Sequence, residues 1–306
     1  MKDQKVKTRL DGSWRNKRTN REIIFEWTNT TLMILVCSVT LYPIWYILIN
    51  SFNDGSDAML GGIFWWPRKF SIENYKLVFS DMTILKAFAV SMTRTLIGTV
   101  TNVLFTAMVA YPLSKDKLKG RAVYMMMGTI TMFFAGGLIP SFILLKKLAL
   151  LDKFLVYIIP ALFNFFNLLI FISFFREIPA ALEESASIDG ANEWTQFTKI
   201  ILPLSKPVLA TIALFTGVYH WNDYFAGVIY INNPDLQPIQ TYLYRMVAES
   251  GSNSMQMSAV GVAGQTTTSL SIKLATMVVA AVPIICVYPF LQKYFEKGMM
   301  LGAVKE

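Results

Sequence analysis

Histidine occurs once in the 306 residues, as His220, and cysteine twice, as Cys37 and Cys286. One imidazole cannot build a multi-histidine metal centre. Both thiols sit inside apolar runs, where they act as small apolar side chains and say nothing about redox compartment. The patterns G-x-x-x-x-G-K-[ST], H-E-x-x-H, C-x-x-C and G-x-S-x-G are all missing. Their absence argues against a nucleotide hydrolase, a zinc protease, a dithiol enzyme and a serine hydrolase, and leaves a membrane-embedded carboxylate site as the enzyme reading still open. Charge is scarce as well, at 16% of residues. Within the apolar runs the main ionisable groups are Arg94 and Asp223, fewer than the relay of an ion-coupled transporter needs. If this chain moves a solute uphill, the energy enters from a partner.

Apolar residues are abundant: 54% of the chain is hydrophobic, 14% aromatic, and the mean hydropathy is +0.45. That exceeds what a soluble core of this size requires. A bilayer core about 30 Å thick takes about 20 apolar residues per helix. Six runs meet that length: 28–51, 88–113, 121–145, 153–175, 207–231 and 272–292. The expectation is an all-α polytopic membrane protein with six transmembrane helices. The third run carries Gly136, Gly137 and Pro140 and is allowed a kink. The fifth carries "YHWNDY", Tyr219 to Tyr224. The first run is too long, and lacks a small-x-small site after it, to be a cleaved signal.

Basic residues orient the runs. Eight (Lys2, Lys5, Lys7, Arg9, Arg15, Lys17, Arg18, Arg21) precede the first run, and Lys115, Lys117, Lys119 and Arg121 follow the second. Both stretches, and with six spans the C-terminus, are expected in the cytoplasm. Lys146, Lys147 and Lys153 oppose this assignment and are outnumbered. The resulting division is a basic cytoplasmic segment 1–27 and a six-helix domain 28–306, with a cytoplasmic loop 176–206, an external loop 232–271 rich in Ser, Gly, Asn and Thr, and a cytoplasmic tail 293–306. The net charge of +8 is accounted for by anionic membrane lipid, without nucleic acid.

The loop 176–206 is too organised for a plain connection. Pro179 suits a first helical turn, and "AALEESASI" continues with good helix formers. Gly190 can take φ > 0 and turn the chain. Asn192 can cap a second helix, "EWTQFTKIIL", with Trp194, Phe197, Ile200 and Ile201 on one apolar face, before Pro203 and Pro207 stop it. From these residues alone, the knuckle either packs beneath its own bundle, lies at the lipid interface, or docks a partner.

The series Glu184, Ser185, Ala186, Asp189, Gly190, Ala191, Phe197, Ile200, Pro203 and Pro207 resembles the "EAA" loop of bacterial ABC importer permeases, with Ser185 where alanine is usual. "SFND", "WPRKFSIENYKLVF", "AYPLSK", "GGLIPSFILL", "WNDYF" and "GAVKE" are similar to the carbohydrate permeases related to the smaller maltose permease subunit. "GGIFWWP" and "RTLIGT" resemble the oligosaccharide and polysaccharide-fragment subgroup, which includes alginate and rhamnogalacturonan-fragment permeases.

The resemblance implies the type I ABC importer permease fold in a bacterial cytoplasmic (inner) membrane. It implies a second permease subunit, usually different, two ABC ATPase subunits holding ATP and Mg, and an extracytoplasmic solute-binding protein, with no cofactor bound by this chain. Glu184, Ser185, Ala186, Asp189, Gly190, Ala191, Phe197, Ile200 and Pro203 would dock the ATPase. Tyr219, Trp221, Asn222, Asp223 and Tyr224 offer aromatic faces and hydrogen-bonding groups suited to a sugar, and equally suit an interfacial aromatic belt or interhelical contacts. Arg94 has three readings: snorkelling to headgroups, pairing with a neighbouring subunit, or meeting an acidic sugar. An ion-coupled transporter and a membrane scaffold remain as alternatives.

Overall fold

The computed structural model describes residues 19–58, 60–257 and 267–303. Most of the basic segment 1–27, the stretch 258–266 of the expected external loop and the final "VKE" lie outside the described residues. Helix α1 (Asn20–Ser51) starts ahead of the apolar run, where the Thr19 N–H donates to Glu22 Oε2 at 2.8 Å. One turn, α2 (Gly55–Ala58), and a short helix, α3 (Glu73–Ser80), follow. Asn74 ties them to the end of α1 by donating from Nδ2 to the carbonyls of Ser51 and Asn53, at 2.9 and 2.8 Å. The Asp81 side chain then caps α4 (Met82–Ser114) by accepting from the Thr83 N–H at 2.7 Å. At about 1.5 Å per residue, α4 is longer than a bilayer core is thick.

The third run is not one kinked helix. It divides into α5 (Arg121–Phe133) and α6 (Leu138–Lys147), which meet at 115°. Gly137 at the joint has φ of 86°, a conformation that only glycine adopts without strain. The fourth run also departs from a single helix over 153–175. It opens on a 3-10 turn, Phe154–Tyr157, and Pro160 disfavours helix just before it. Helix begins only at α7 (Phe165–Glu177), where Asn164 Oδ1 accepts from the Asn167 N–H at 3.1 Å.

Three short helices and a π turn link α7 to the fifth run: α8 (Ala180–Ile188), α9 (Glu193–Gln196), the π turn Phe197–Ile201 and α10 (Leu202–Leu204). The fifth run is broken too. Helix α11 (Lys206–Asn222) stops at Asp223, and α12 (Phe225–Tyr230) restarts beyond it. The expected external loop contains a helix of 19 residues, α13 (Ile239–Met257). Its first turns bury Ile239, Thr241 and Leu243, packing that outweighs the weak helix formers further on. Finally, α14 (Thr267–Ala303) contains the sixth run and continues helical through most of the tail 293–306.

Among the described residues, three helical stretches, α1, α4 and Leu270–Val287 within α14, are each long and apolar enough to cross a membrane, and the number reaches six if each of three bent pairs is one span. Among the described residues the only non-helical pairing is an isolated bridge between Asn53 and Phe70. Helices α4, α7 and α11 pack around Ala107, Ala110, Leu168, Phe171 and Ile212. Toward the other end of α4, Val78, Ile84, Trp221, Ile239 and Ala275 form a second core with α3, α13 and α14. Many apolar side chains on α1, α5 and α6 remain exposed, as on a surface that meets lipid or another subunit.

Candidate functional site

The knuckle is built by local chemistry. Gly190 has φ of 80° and closes α8 as a Schellman motif. Its N–H donates to the Ser187 carbonyl at 3.1 Å, and the Ala191 N–H reaches back to Ala186 at 2.9 Å. Asn192 then caps α9, accepting from the Thr195 N–H at 2.8 Å. Gln196, a residue the sequence did not single out, braces the joint from inside. Its Nε2 donates to Ser187 Oγ at 2.9 Å and to the Ala191 carbonyl at 3.0 Å.

Pro203 does not stop the second helix. The Leu202 N–H donates to the Phe197 carbonyl, an i→i+5 bond, and helix runs on to Leu204 before a bend of 79° into α11. The widened π turn accommodates a residue that has no N–H to offer the ladder.

The expected apolar face is divided. Phe197 and Ile201 are buried in the chain's own core, while Trp194 is 61% exposed; Ile188, at the end of α8 and outside that face, is 87% exposed. Glu184, Ser185, Asp189, Gly190 and Pro203 are also exposed, and Ala186, Ala191 and Ile200 are half-buried. One side of the knuckle thus packs beneath the bundle, and its tip projects outward. Phe197 supports the tip from behind rather than facing away with it.

The inner side is fastened to the end of α4. Tyr111 is buried, and its hydroxyl donates to Glu193 Oε2 at 3.0 Å. Lys115 pairs with Glu183 and lies 4.5 Å over the Tyr111 ring. The Tyr111 and Phe197 rings are 5.3 Å apart. Arg176 donates to the Ser114 carbonyl at 3.2 Å and pairs with Asp116.

Toward the other end of α4 lies the second cluster. Arg94 is fully buried, donates from Nη2 to Asp223 Oδ2 at 2.7 Å, and lies 4.5 Å over the Tyr157 ring. The break in the fifth run makes this possible: Asp223 leaves the helix, caps α12 through Oδ1 by accepting from the Phe225 and Ala226 N–H groups at 3.0 and 3.2 Å, and turns Oδ2 to Arg94. In this state Arg94 meets an acid of its own chain, an arrangement outside its three sequence readings. Trp221 is buried, donates from Nε1 to the Ala280 carbonyl at 3.0 Å and meets Phe88 edge-on, so here it joins helices. Tyr219, Asn222 and Tyr224 are exposed, and Tyr224 stacks on Tyr244 at 4.8 Å.

Between the clusters, α4 and α11 share a polar seam. Thr216 Oγ1 donates to Asn102 Oδ1 at 3.1 Å, and Asn102 Nδ2 donates to the Ala161 carbonyl at 2.8 Å. His220 is buried against Gly98, where a Cβ would lie 2.3 Å from Nε2. Glycine at position 98 is the one sequence signal that a ring passes close to α4 there.

Residues 102–301 match the family described as binding-protein-dependent transport system inner membrane component. The chain is 41% identical to Protein LplC of Bacillus subtilis (strain 168), covering 92% of this chain and 95% of that protein. It is 39% identical to the polygalacturonan/rhamnogalacturonan transport system permease protein YtcP of the same strain, over 89% of this chain and 95% of that one. Among solved structures, it is similar to a chain of a bacterial ABC transporter involved in the import of the acidic polysaccharide alginate. That match has a TM-score of 0.82 and 30% identity, and covers 91% of this chain and 99% of the other.

Proposed function

Because the chain belongs to the family of binding-protein-dependent transport system inner membrane components, we propose that it is one of two permease subunits of an ATP-driven oligosaccharide importer in a bacterial inner membrane. It is a transport component, and ATP and Mg belong to two ATPase subunits docked on the knuckle. In this reading each bent pair contributes to one of six spans, the knuckle and both termini face the cytoplasm, and the segments 52–81 and 232–257 face a solute-binding protein outside. The knuckle is the observation that carries the proposal. A glycine-jointed helix pair, internally hydrogen-bonded and fastened to α4, presents exposed Glu184, Ile188, Asp189 and Trp194, and among the described residues no element of its own chain covers them.

A rigid protrusion converts a partner's conformational change into displacement of the bundle, provided the partner's two states bind it differently. The names of the similar proteins point to fragments of uronate-rich polysaccharide as substrate class. Exposed Tyr219, Asn222 and Tyr224 would line the path, while Trp221 and the Arg94–Asp223 pair hold its wall.

The test is reconstitution in liposomes with the second permease, the ATPase and the binding protein, followed by uptake of radiolabelled oligosaccharides from digested pectin and alginate. The expected uptake needs ATP and the binding protein and is insensitive to ionophores. Uptake abolished by an ionophore and independent of ATP would instead favour an ion-coupled carrier.

A further inference from the structure

Among the described residues, the polar side-chain contacts between α8 or α9 and the rest of the bundle converge on one end of one helix. Lys115, the C-cap residue just past Ser114 at the end of α4, pairs with Glu183 of α8. Tyr111, one turn earlier, donates to Glu193 of α9 at 3.0 Å. The Lys115 ammonium lies 4.5 Å over the Tyr111 ring, so the two contacts also hold each other. Helices α8 and α9 of the knuckle are therefore each gripped by one side chain from the end of α4. The Tyr111 ring packs on Phe197 at 5.3 Å, which fills the space between the grips. Toward its other end, about three turns in from Met82, α4 carries Arg94, hydrogen-bonded at 2.7 Å to the residue that breaks the fifth run.

We propose that Tyr111 and Lys115 are positioning residues for coupling: they clamp both helices of the knuckle to α4, so that displacement at the ATPase is delivered to α4 and through Arg94 to Asp223. The inference rests on the knuckle being the ATPase-docking element. It is separable from that reading because Glu183 and Glu193 face α4 while Glu184 and Ile188 face outward. Loss of the clamp leaves the docking tip intact and frees it from the bundle. Charge–π and ion-pair contacts at partly exposed groups contribute little to stability, so the variants fold, and the loss falls on transmission.

The experiment uses the assembled importer with Lys115→Glu, Glu183→Lys, the double exchange, and Tyr111→Phe, which removes the hydroxyl and keeps the ring. ATPase association is read by pull-down, hydrolysis by phosphate release, and transport by uptake of the labelled pectin and alginate oligosaccharides. Each single exchange is expected to retain the ATPase, to hydrolyse ATP, and to lose uptake by at least about tenfold per ATP hydrolysed. The double exchange is expected to recover uptake to within about threefold of the native protein, and Tyr111→Phe to fall between. Native uptake in the single exchanges, or no recovery in the double one, overturns the clamp. Loss of ATPase association in the single exchanges, restored in the double, also overturns it by assigning the pair to docking. Failure of the native chain to retain the ATPase defeats the docking reading itself.

Discussion

Arg94 and Asp223 are 129 positions apart in the chain, yet their side chains meet at 2.7 Å, with the guanidinium fully buried. Removing one partner leaves the other charge without compensation, which typically costs 3–5 kcal/mol at buried pairs, whereas replacing both by apolar groups costs far less. Asp223→Ala is therefore expected to destabilise the folded chain by about 3 kcal/mol, and Arg94→Met combined with Asp223→Ala by less than Asp223→Ala alone. Unfolding in detergent, followed by tryptophan fluorescence, checks both. Equal stability of the native chain and Asp223→Ala would remove the pair from any structural account.

A methyl group at Gly98 would lie 2.3 Å from His220 Nε2. Overpacking of this kind costs about 1–3 kcal/mol. Gly98→Ala should lower the thermal midpoint, and His220→Ala in the same chain should recover part of the loss because it removes the ring the methyl meets. A Gly98→Ala midpoint equal to the native one would show that α11 does not approach α4 there.

Much of the knuckle was legible because its signals are local. Glycine for a positive φ, Asn192 at the cap and good helix formers before the joint are all read within a few residues. The broken runs were not legible in the same way. Hydropathy counts apolar residues and does not see that Gly137 takes φ of 86° or that Asp223 leaves its helix to reach α4. The helix α13 was hidden by its Ser, Gly and Asn content, although Ile239 and Leu243 at i, i+4 marked the buried stripe. Trp221 and Arg94 had several readings each, since their neighbours come from distant segments.

In the segment after α1, Asp57 accepts from Asn53 Nδ2 at 3.0 Å and Arg68 Nε at 3.1 Å. The Asn53 hydrogen bond, followed by Arg68, holds its carboxyl below the usual 3.8. Asp54, hydrogen-bonded by Ser56, is lowered in the same direction. A carboxyl whose folded value lies below its unfolded one contributes stability above the unfolded value, and that stability is lost as pH falls through the folded one. Amide exchange across residues 53–74 should thus be insensitive to pH from neutrality to about 5, after correction for intrinsic rates, and should rise below 3.8. Asp57→Asn should blunt the rise. A rise that begins near neutrality would contradict this assignment.

Gly190 at φ of 80° has open space around its Cβ position, so substitution there acts through the backbone alone. Gly190→Val should cost on the order of 1–2 kcal/mol locally and redirect α9 without disturbing insertion. The expected outcome is normal membrane yield with at least tenfold weaker ATPase retention. Normal retention would mean that the joint's angle does not matter to the partner.

If the exposed tip of the knuckle is where an ATPase binds, substitutions confined to that tip should release the ATPase. Glu184 and Ile188 are exposed there, and neither touches the membrane runs. Glu184→Lys reverses a charge at the contact and Ile188→Asp places one where an apolar side chain docks; both act on the interface, and neither touches the clamp on α4. The direct measurement is retention of the ATPase subunit by the purified two-permease complex carrying each substitution. Docking at the tip predicts complexes that assemble normally and lose the ATPase in both variants. Retention equal to the native complex in both would contradict it and return the knuckle to a purely structural role.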